Sequence, residues 1–214
     1  MSFRFRMVIL VAALSMLALG LSSCGDDSVS PVDELTLGDV DGDGLASIAD
    51  AVIMTNYKLY GEGVLSPDPQ FRARQVRAAD CNLDGIPLTI ADIKYLMLNI
   101  TGSNSSPIPV APYADTVVVV RDGSTLTFED ELSLAGVYLK IVTPDGGIPK
   151  LVPYAKLQND CTGDTLIVGS GDLTTCSPAS ELRIKDFPSD AEILEFELSD
   201  CKGYLVYPQM IDSR

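Results

Sequence analysis

Two stretches decide how this chain is read: LGDVDGDGLASIADAVIMTNYKLYG, residues 37–61, and ADCNLDGIPLTIADIKYLMLNI, residues 79–100. They align with Asp39 on Asp80, so the chain repeats itself. In the first copy Asp39, Asp41 and Asp43 alternate, Gly44 follows, and Asp50 stands eleven residues after Asp39. This is the calcium-loop pattern D-x-[DN]-x-[DN]-G apart from its final acid. Calcium takes about six to eight oxygen ligands, so alternate carboxylates on a tightly turned loop converge on one point, and Gly44 permits the turn. The Leu45 carbonyl, the Ser47 hydroxyl (directly or through water) and the Asp50 carboxylate complete the expected ligand set.

Ser47, followed three residues later by Asp50, also has the form of a capping box. It opens an apolar stretch from Ile48 to Tyr60 in which Ile48, Val52 and Leu59 share a helical face. The second copy repeats the plan with Asp80, Asn82, Asp84, Gly85 and Asp92, then a helix over about Ile90–Ile100. Six residues rather than five separate Gly85 from Asp92, with Pro87 near the surplus position, so this loop must bulge. Thr89 takes the place of Ser47. With three carboxylates and an amide against four carboxylates, loop two is expected to bind its ion more weakly.

A lone acidic turn could produce one such match, but two in register, each followed by an apolar helix, argue against that reading. Calcium-rich repeats of the thrombospondin kind lack the helices. Neither copy has a clear entering helix, and half EF-hands joined by a connector of about twenty residues resemble the type I dockerin module, here over residues 37–101. The resemblance implies a small all-α module folded around two calcium ions that docks onto a cohesin domain of another protein. It implies partner contacts at Ile48 and Ala49 in copy one and at Ile90 and Ala91 in copy two. The alternative role for these dipeptides is packing at the helix starts. Calcium dependence also follows from physics, because so small a module has a marginal core and the loop-one carboxylates repel one another without an ion.

The rest of the composition narrows the function further. The 214 residues carry 15 basic and 30 acidic side chains, no histidine and no tryptophan, for a net charge of −15. That charge argues against a nucleic-acid partner. Without histidine there is no Ser-His-Asp or Cys-His nucleophile system and no imidazole zinc ligand. Residues 1–23 read as an export signal: Arg4 and Arg6 precede an apolar run to Leu21 that is short for a membrane span of about 20 residues. Leu21-Ser22-Ser23-Cys24 resembles the bacterial lipobox, which implies lipidation at Cys24, a membrane anchor there, and a periplasm-facing or cell-surface location. Residues 24–36 then form a tether. The four remaining cysteines are expected to pair, with Cys161 to Cys176 the first choice and Cys81 to Cys201 left over.

Residues 102–112, rich in Gly, Ser and Pro, read as a linker. Residues 113–214 hold about seven short β-like runs, with Asp122-Gly123 as a hairpin turn. Alternation in Glu181–Lys185 and Ile193–Glu197 gives these strands one wet face. The expected fold class is therefore two-domain: a small all-α calcium-binding module, then an all-β antiparallel sandwich. The sandwich weakly resembles a cohesin-like domain. Its many carboxylates read as a solvated face rather than a catalytic pair, and the chain is expected not to be an enzyme. The leading expectation is a lipid-anchored exported protein attaching through its dockerin-like module. A carbohydrate-binding or polysaccharide-degrading surface lipoprotein, with glycan as ligand and the module as a structural element, is the alternative. Self-assembly, with the module gripping the sandwich of the next chain or its own, is a third.

Overall fold

The computed structural model describes residues 35–103, 113, 115–129, 132–142, 150–152, 160–162, 165–169, 177–178 and 183–213. The expected signal peptide, lipidated Cys24, tether, Cys176 and most of the linker lie outside the described residues. Among the described residues no helix is long and apolar enough to cross a membrane. Residues Leu35–Arg214 form one compact unit, a mostly helical region followed by a β-sheet region.

The helical region contains α1 (Ile48–Tyr60), a 3-10 turn (Gly61–Val64), α2 (Pro69–Ala78) and α3 (Ile90–Ile100). Both expected helix starts are capping boxes: Ser47 with Asp50 opens α1 and Thr89 with Asp92 opens α3. Helix α2 corrects the expectation that no helix enters a loop, since it runs into loop two. Its sequence PQFRARQVRA has no apolar stripe, but Asp68 caps it, accepting from the Gln70 amide at 2.8 Å and the Phe71 amide at 3.2 Å, and Pro69 occupies its first position. Val40, Ala51, Met54, Leu65, Ile93 and Leu96 pack into the core of this region. The apolar face read for α1 does not face that core. Ile48 and Val52 remain 53% and 51% exposed, and the helix buries Asp50, Ala51 and Met54 instead.

The sheet comprises β1 (Asp115–Asp122), β2 (Thr125–Glu129), β3 (Ser133–Val142), β4 (Lys150–Val152), β5 (Asp160–Thr162), β6 (Thr165–Gly169), β7 (Ser177–Pro178), β8 (Arg183–Lys185), β9 (Glu192–Asp200) and β10 (Leu205–Asp212). Hydrogen bonding links them in one path, β4-β8-β2-β1-β10-β9-β3-β6-β5, with β7 alongside β3. The expectation of purely antiparallel pairing fails at one place, where β1 runs parallel to β10. Side chains from both halves of the path, including Val117, Phe128, Val137, Leu139, Ile184 and Leu198, share one core. The sheet must therefore curl around that core.

Strand β3 explains how the two regions meet. Val137, Leu139 and Ile141 enter the sheet core, while Tyr138 points to the opposite face and packs with Ile90 and Leu59 of the helical region. A strand buried on both faces reads as a near-continuous apolar run, and LAGVYLKIV is one apart from Lys140. Helix α3 lies against β3 and β9. The side of β9 bearing Glu195 and Glu197, read from alternation as wet, is thus the side the helices approach. At the β9–β10 turn Tyr204 packs on Tyr95 of α3, ring centroids 6.0 Å apart. Gly203, at φ +84°, leaves no room for a side chain: a Cβ there would lie 2.8 Å from the Tyr95 backbone.

The disulfide framework expected from the cysteine count is also corrected. Cys81 is a free thiol buried in the helical core, so the Cys81–Cys201 bridge does not form. Position 81 matches Val40 in copy one, an inward apolar site, and the cysteine serves there as a small hydrophobe. Among the described side chains, Cys81 and Cys201 are not bonded to each other. The Cys161–Cys176 pairing falls outside the described side chains, and Cys201 Sγ lies 3.3 Å from the Ser133 carbonyl oxygen.

Candidate functional site

Loop one brings Asp39, Asp41 and Asp43 together, with one carboxylate oxygen from each inside a 4.8 Å cluster. Local hydrogen bonds shape it: Asp39 accepts from the Gly42 amide at 2.9 Å, Asp41 from Asp43 at 3.0 Å and Asp43 from Leu45 at 2.8 Å. Glycines 42 and 44 take positive φ of 83° and 94°. Asp50 stands behind the cluster and closes the loop. Its Oδ1 accepts from the Val40 and Asp41 amides at 2.7 and 2.9 Å, and its Oδ2 from the Ser47 amide at 2.8 Å. Its Oδ2, with one hydrogen bond, retains a further lone pair for a cation, while Oδ1 already accepts two. The Ser47 hydroxyl is engaged as the helix cap, accepting from the Ala49 amide at 3.1 Å. Leu45 is exposed.

Helix α2 contributes two residues to loop one that the sequence did not reveal. Arg74 pairs with Asp39 at 2.8 Å, and Gln75 donates to the Val40 carbonyl at 3.0 Å. The guanidinium offsets part of the loop-one charge, which leaves Asp41 and Asp43 as the uncompensated pair.

Loop two has the same design in a different setting. Asp92 takes the part of Asp50, accepting from the Cys81 amide at 2.8 Å and from the Thr89 amide and hydroxyl at 2.9 and 2.7 Å. Asp84 accepts from the Ile86 amide at 2.8 Å, and Asn82 Oδ1 from the Asp84 amide at 3.0 Å. Leu83 and Leu88 carry positive φ of 58° and 64°. Leu83 holds the turn that Gly42 makes in copy one, and Leu88 belongs to the expected bulge. Asn82, Asp84, Thr89 and Asp92 are all buried, whereas of their counterparts only Asp50 is: Asp41 and Ser47 are half-buried and Asp43 is exposed.

The residues of both loops fit calcium by their chemistry: hard oxygen donors, alternating on a turn. Loop two carries an additional sign, because Asp80 Oδ1 is buried without a hydrogen-bond partner, a costly state for a carboxylate oxygen that a bound cation would relieve. Burial pushes the Asp92 carboxyl up to about 7, against the hydrogen bonds from Thr89 and with Asp84 and Asp80 adding repulsion. Burial likewise raises Asp84. A divalent ion beside these groups would restore their charged form.

The residues expected to touch a partner part company. In copy one Ile48 and Ala49 are exposed. In copy two Ile90 is 7% exposed and Ala91 fully buried, and Ile90 rests on Tyr138. Around that contact lies a polar seam. Glu197 pairs with Lys58 at 2.8 Å and accepts from the Ile90 amide at 3.0 Å. Tyr138 donates from its hydroxyl to the Lys58 carbonyl at 3.0 Å while the Lys58 ammonium sits 4.1 Å from the center of its ring. Burial, reinforced by Glu195 and Glu197, pushes the Tyr138 phenol well up and keeps it a donor. Burial alone would raise Glu195, but the Lys140 hydrogen bond and the charges of Lys58 and Lys140 outweigh it and hold that carboxyl low. Beside this seam opens a cleft of about 550 Å³, walled by residues such as Tyr57, Tyr60, Glu62, Pro87, Tyr138 and Glu195.

Sequence reasoning missed Lys58, Tyr138, Glu197 and Gly203, since each is ordinary for its helix, strand or turn. The one available signal was the two-sided burial implied by the β3 run. Comparison of the chain with protein-family models, curated proteins and solved structures finds no match.

Proposed function

We propose that the chain is a non-enzymatic attachment protein, exported and lipid-anchored at Cys24, whose repeat is a dockerin-like pair binding two calcium ions. The curled sheet is read as a cohesin-like sandwich. The observation that carries the proposal is the convergence of the Asp39, Asp41 and Asp43 oxygens in loop one, repeated in plan by loop two. Copy two rests on the chain's own sheet, so attachment to a cohesin-type partner falls to copy one, through Leu45, Ile48, Ala49 and Val52. Leu45, Ile48 and Val52 are large apolar side chains left in solvent, the kind of surface that partners cover. The test is far-UV circular dichroism of the full chain in calcium and in excess EDTA. The proposal expects helical signal to fall on chelation and to return with calcium. Unchanged helix content together with no measurable calcium binding would overturn it.

A second reading has its own observation, the cleft beside the Lys58–Glu197 seam. Tyr60 at its edge is exposed, and with Tyr57 and Glu62 it offers a ring face and polar groups to a sugar. In this reading the repeat is a calcium-stabilised structural element of a glycan-binding lipoprotein. Retention of the chain on immobilised polysaccharide, lost in Tyr60→Ala, would favour it over protein attachment.

A further inference from the structure

Resting on the reading that loop two holds calcium, we propose that ion binding at loop two and seating of the helical pair on the sheet are one coupled equilibrium. The sheet helps to build loop two, and its ion latches α1 and α3 onto β3 and β9.

Three contacts join the loop to the sheet. The first is made by Asn82, whose Nδ2 donates to the Gly203 carbonyl at 2.9 Å and to Asp84 Oδ2 at 3.0 Å. A carbonyl can only accept, so this bond fixes which way the amide is turned. The NH2 is given to the sheet, and Oδ1 is left on the loop side as a ligand oxygen. Copy one has Asp41 at this position. A carboxylate at position 82 would set oxygen against the Gly203 carbonyl oxygen, so the amide in copy two matches its docked state.

The second contact is Glu197. One of its oxygens accepts from the Ile90 amide, the first in α3, and the other pairs with Lys58 near the end of α1. Ile90 directly follows Thr89, whose amide and hydroxyl hold the loop-closing Asp92. The start of α3 is therefore set by the loop on one side and by a sheet carboxylate on the other. An acid at a helix N-terminus also complements the helix dipole.

The third contact is the fit of Gly203 against the Tyr95 backbone, which admits no side chain. Asp200 shapes this turn, accepting from the Lys202 and Tyr204 amides at 2.9 and 2.8 Å. Loop one has no described bond to the sheet: its long-range partners, Arg74 and Gln75, both lie in α2. The coupling is accordingly confined to one of two sites of similar design.

Linkage requires that docking strengthen the loop-two ion by the same factor as the ion strengthens docking, so a variant that undoes the docked state weakens that ion by up to this factor. Gly203→Ala supplies a neutral wedge, since the added methyl forces the β9–β10 turn away from α3 without altering any charge near the loop. Calcium titration calorimetry on the full chain, wild type against G203A, reads the effect, and Asp41→Asn identifies which isotherm belongs to loop one. We expect two sites in wild type and, in G203A, loss of roughly tenfold or more in affinity at loop two with loop one unchanged. A folded G203A with both affinities at wild-type values overturns the latch and leaves calcium binding standing. A wild-type chain that binds no calcium overturns both.

Should G203A fail to fold, hydrogen exchange on the wild-type chain gives the same decision. The latch expects chelation to expose the Ile90 amide and the Cys201–Tyr204 turn while β1 and β2 keep their protection. Turn protection unchanged by chelation while the loop-two amides lose theirs overturns it.

Discussion

Loops one and two have nearly the same sequence plan and opposite surroundings. In loop one Asp39 is buried against Arg74 of α2, Asp41 is half-buried, Asp43 is exposed, and the turn is made by glycines. In loop two Asp80 is half-buried while Asn82 and Asp84 are buried, two leucines adopt the left-handed turn conformations, and the nearest neighbor is the chain's own β9–β10 turn. The same difference follows into the helices, where Ile48 is exposed and Ile90 rests on Tyr138. A duplicated motif thus specifies local geometry twice, and what each copy contacts is decided by a few residues outside the motif: Tyr138, Glu197 and Gly203.

The comparison can be broken most severely at the residue that closes loop two. Asp92→Ala would strand the Cys81 and Thr89 donors in a buried site, and we expect a loss of about 3 kcal/mol or more by denaturant unfolding. Asp50→Ala should cost a similar amount, since Asp50 is equally buried and its loss strands the Val40, Asp41 and Ser47 amides. Next in size is the seam. Lys58→Met leaves Glu197 without its cation in a largely enclosed place and should lower stability by about 2 kcal/mol. The isoleucine pair then sharpens the contrast: Ile90→Ala should cost about 2 kcal/mol, whereas Ile48→Ala should change stability by no more than about 0.5 kcal/mol. Equal costs at the two positions would show that the copies are buried alike.

The smallest effect is in pH. Glu195 is held below its ordinary range by Lys140 and Lys58 in spite of burial. A carboxyl lowered in the folded state adds stability above its unfolded pKa and loses that contribution as pH falls through the folded value. Acid titration should therefore weaken the wild-type seam in the range below about pH 4.3. Glu195→Gln should remove that part of the pH dependence without altering the neutral-pH fold.

Much of this architecture is legible in the sequence because its causes are local. Alternating acids with a glycine specify the loops, Ser47 with Asp50 and Thr89 with Asp92 specify the helix starts, and period-two alternation marks β8 and β9. Helix α2 escapes because it is not held by an apolar stripe. Gln75 and Arg74 bind it to loop one through polar groups, and the only local trace is Asp68 before Pro69. The parallel pairing of β1 with β10 escapes because its partners lie far apart in sequence. The Gly, Ser and Pro content of residues 102–112 implies separation, yet helices and sheet pack together, since a linker composition says nothing about surfaces such as Tyr138 that meet beyond it. Periodicity also places Ile48 and Val52 together without telling whether their shared face meets a core or a partner.

The central claim is that both loops hold calcium, and a crystal structure of the full chain grown with calcium, with anomalous scattering recorded, tests it most directly. The account predicts two ion peaks, one among Asp39, Asp41 and Asp43 and one among Asp80, Asn82 and Asp84, the second with Asp80 Oδ1 as a ligand. Density for neither ion, or an Asp80 Oδ1 that remains buried and unligated beside an empty loop two, would contradict it.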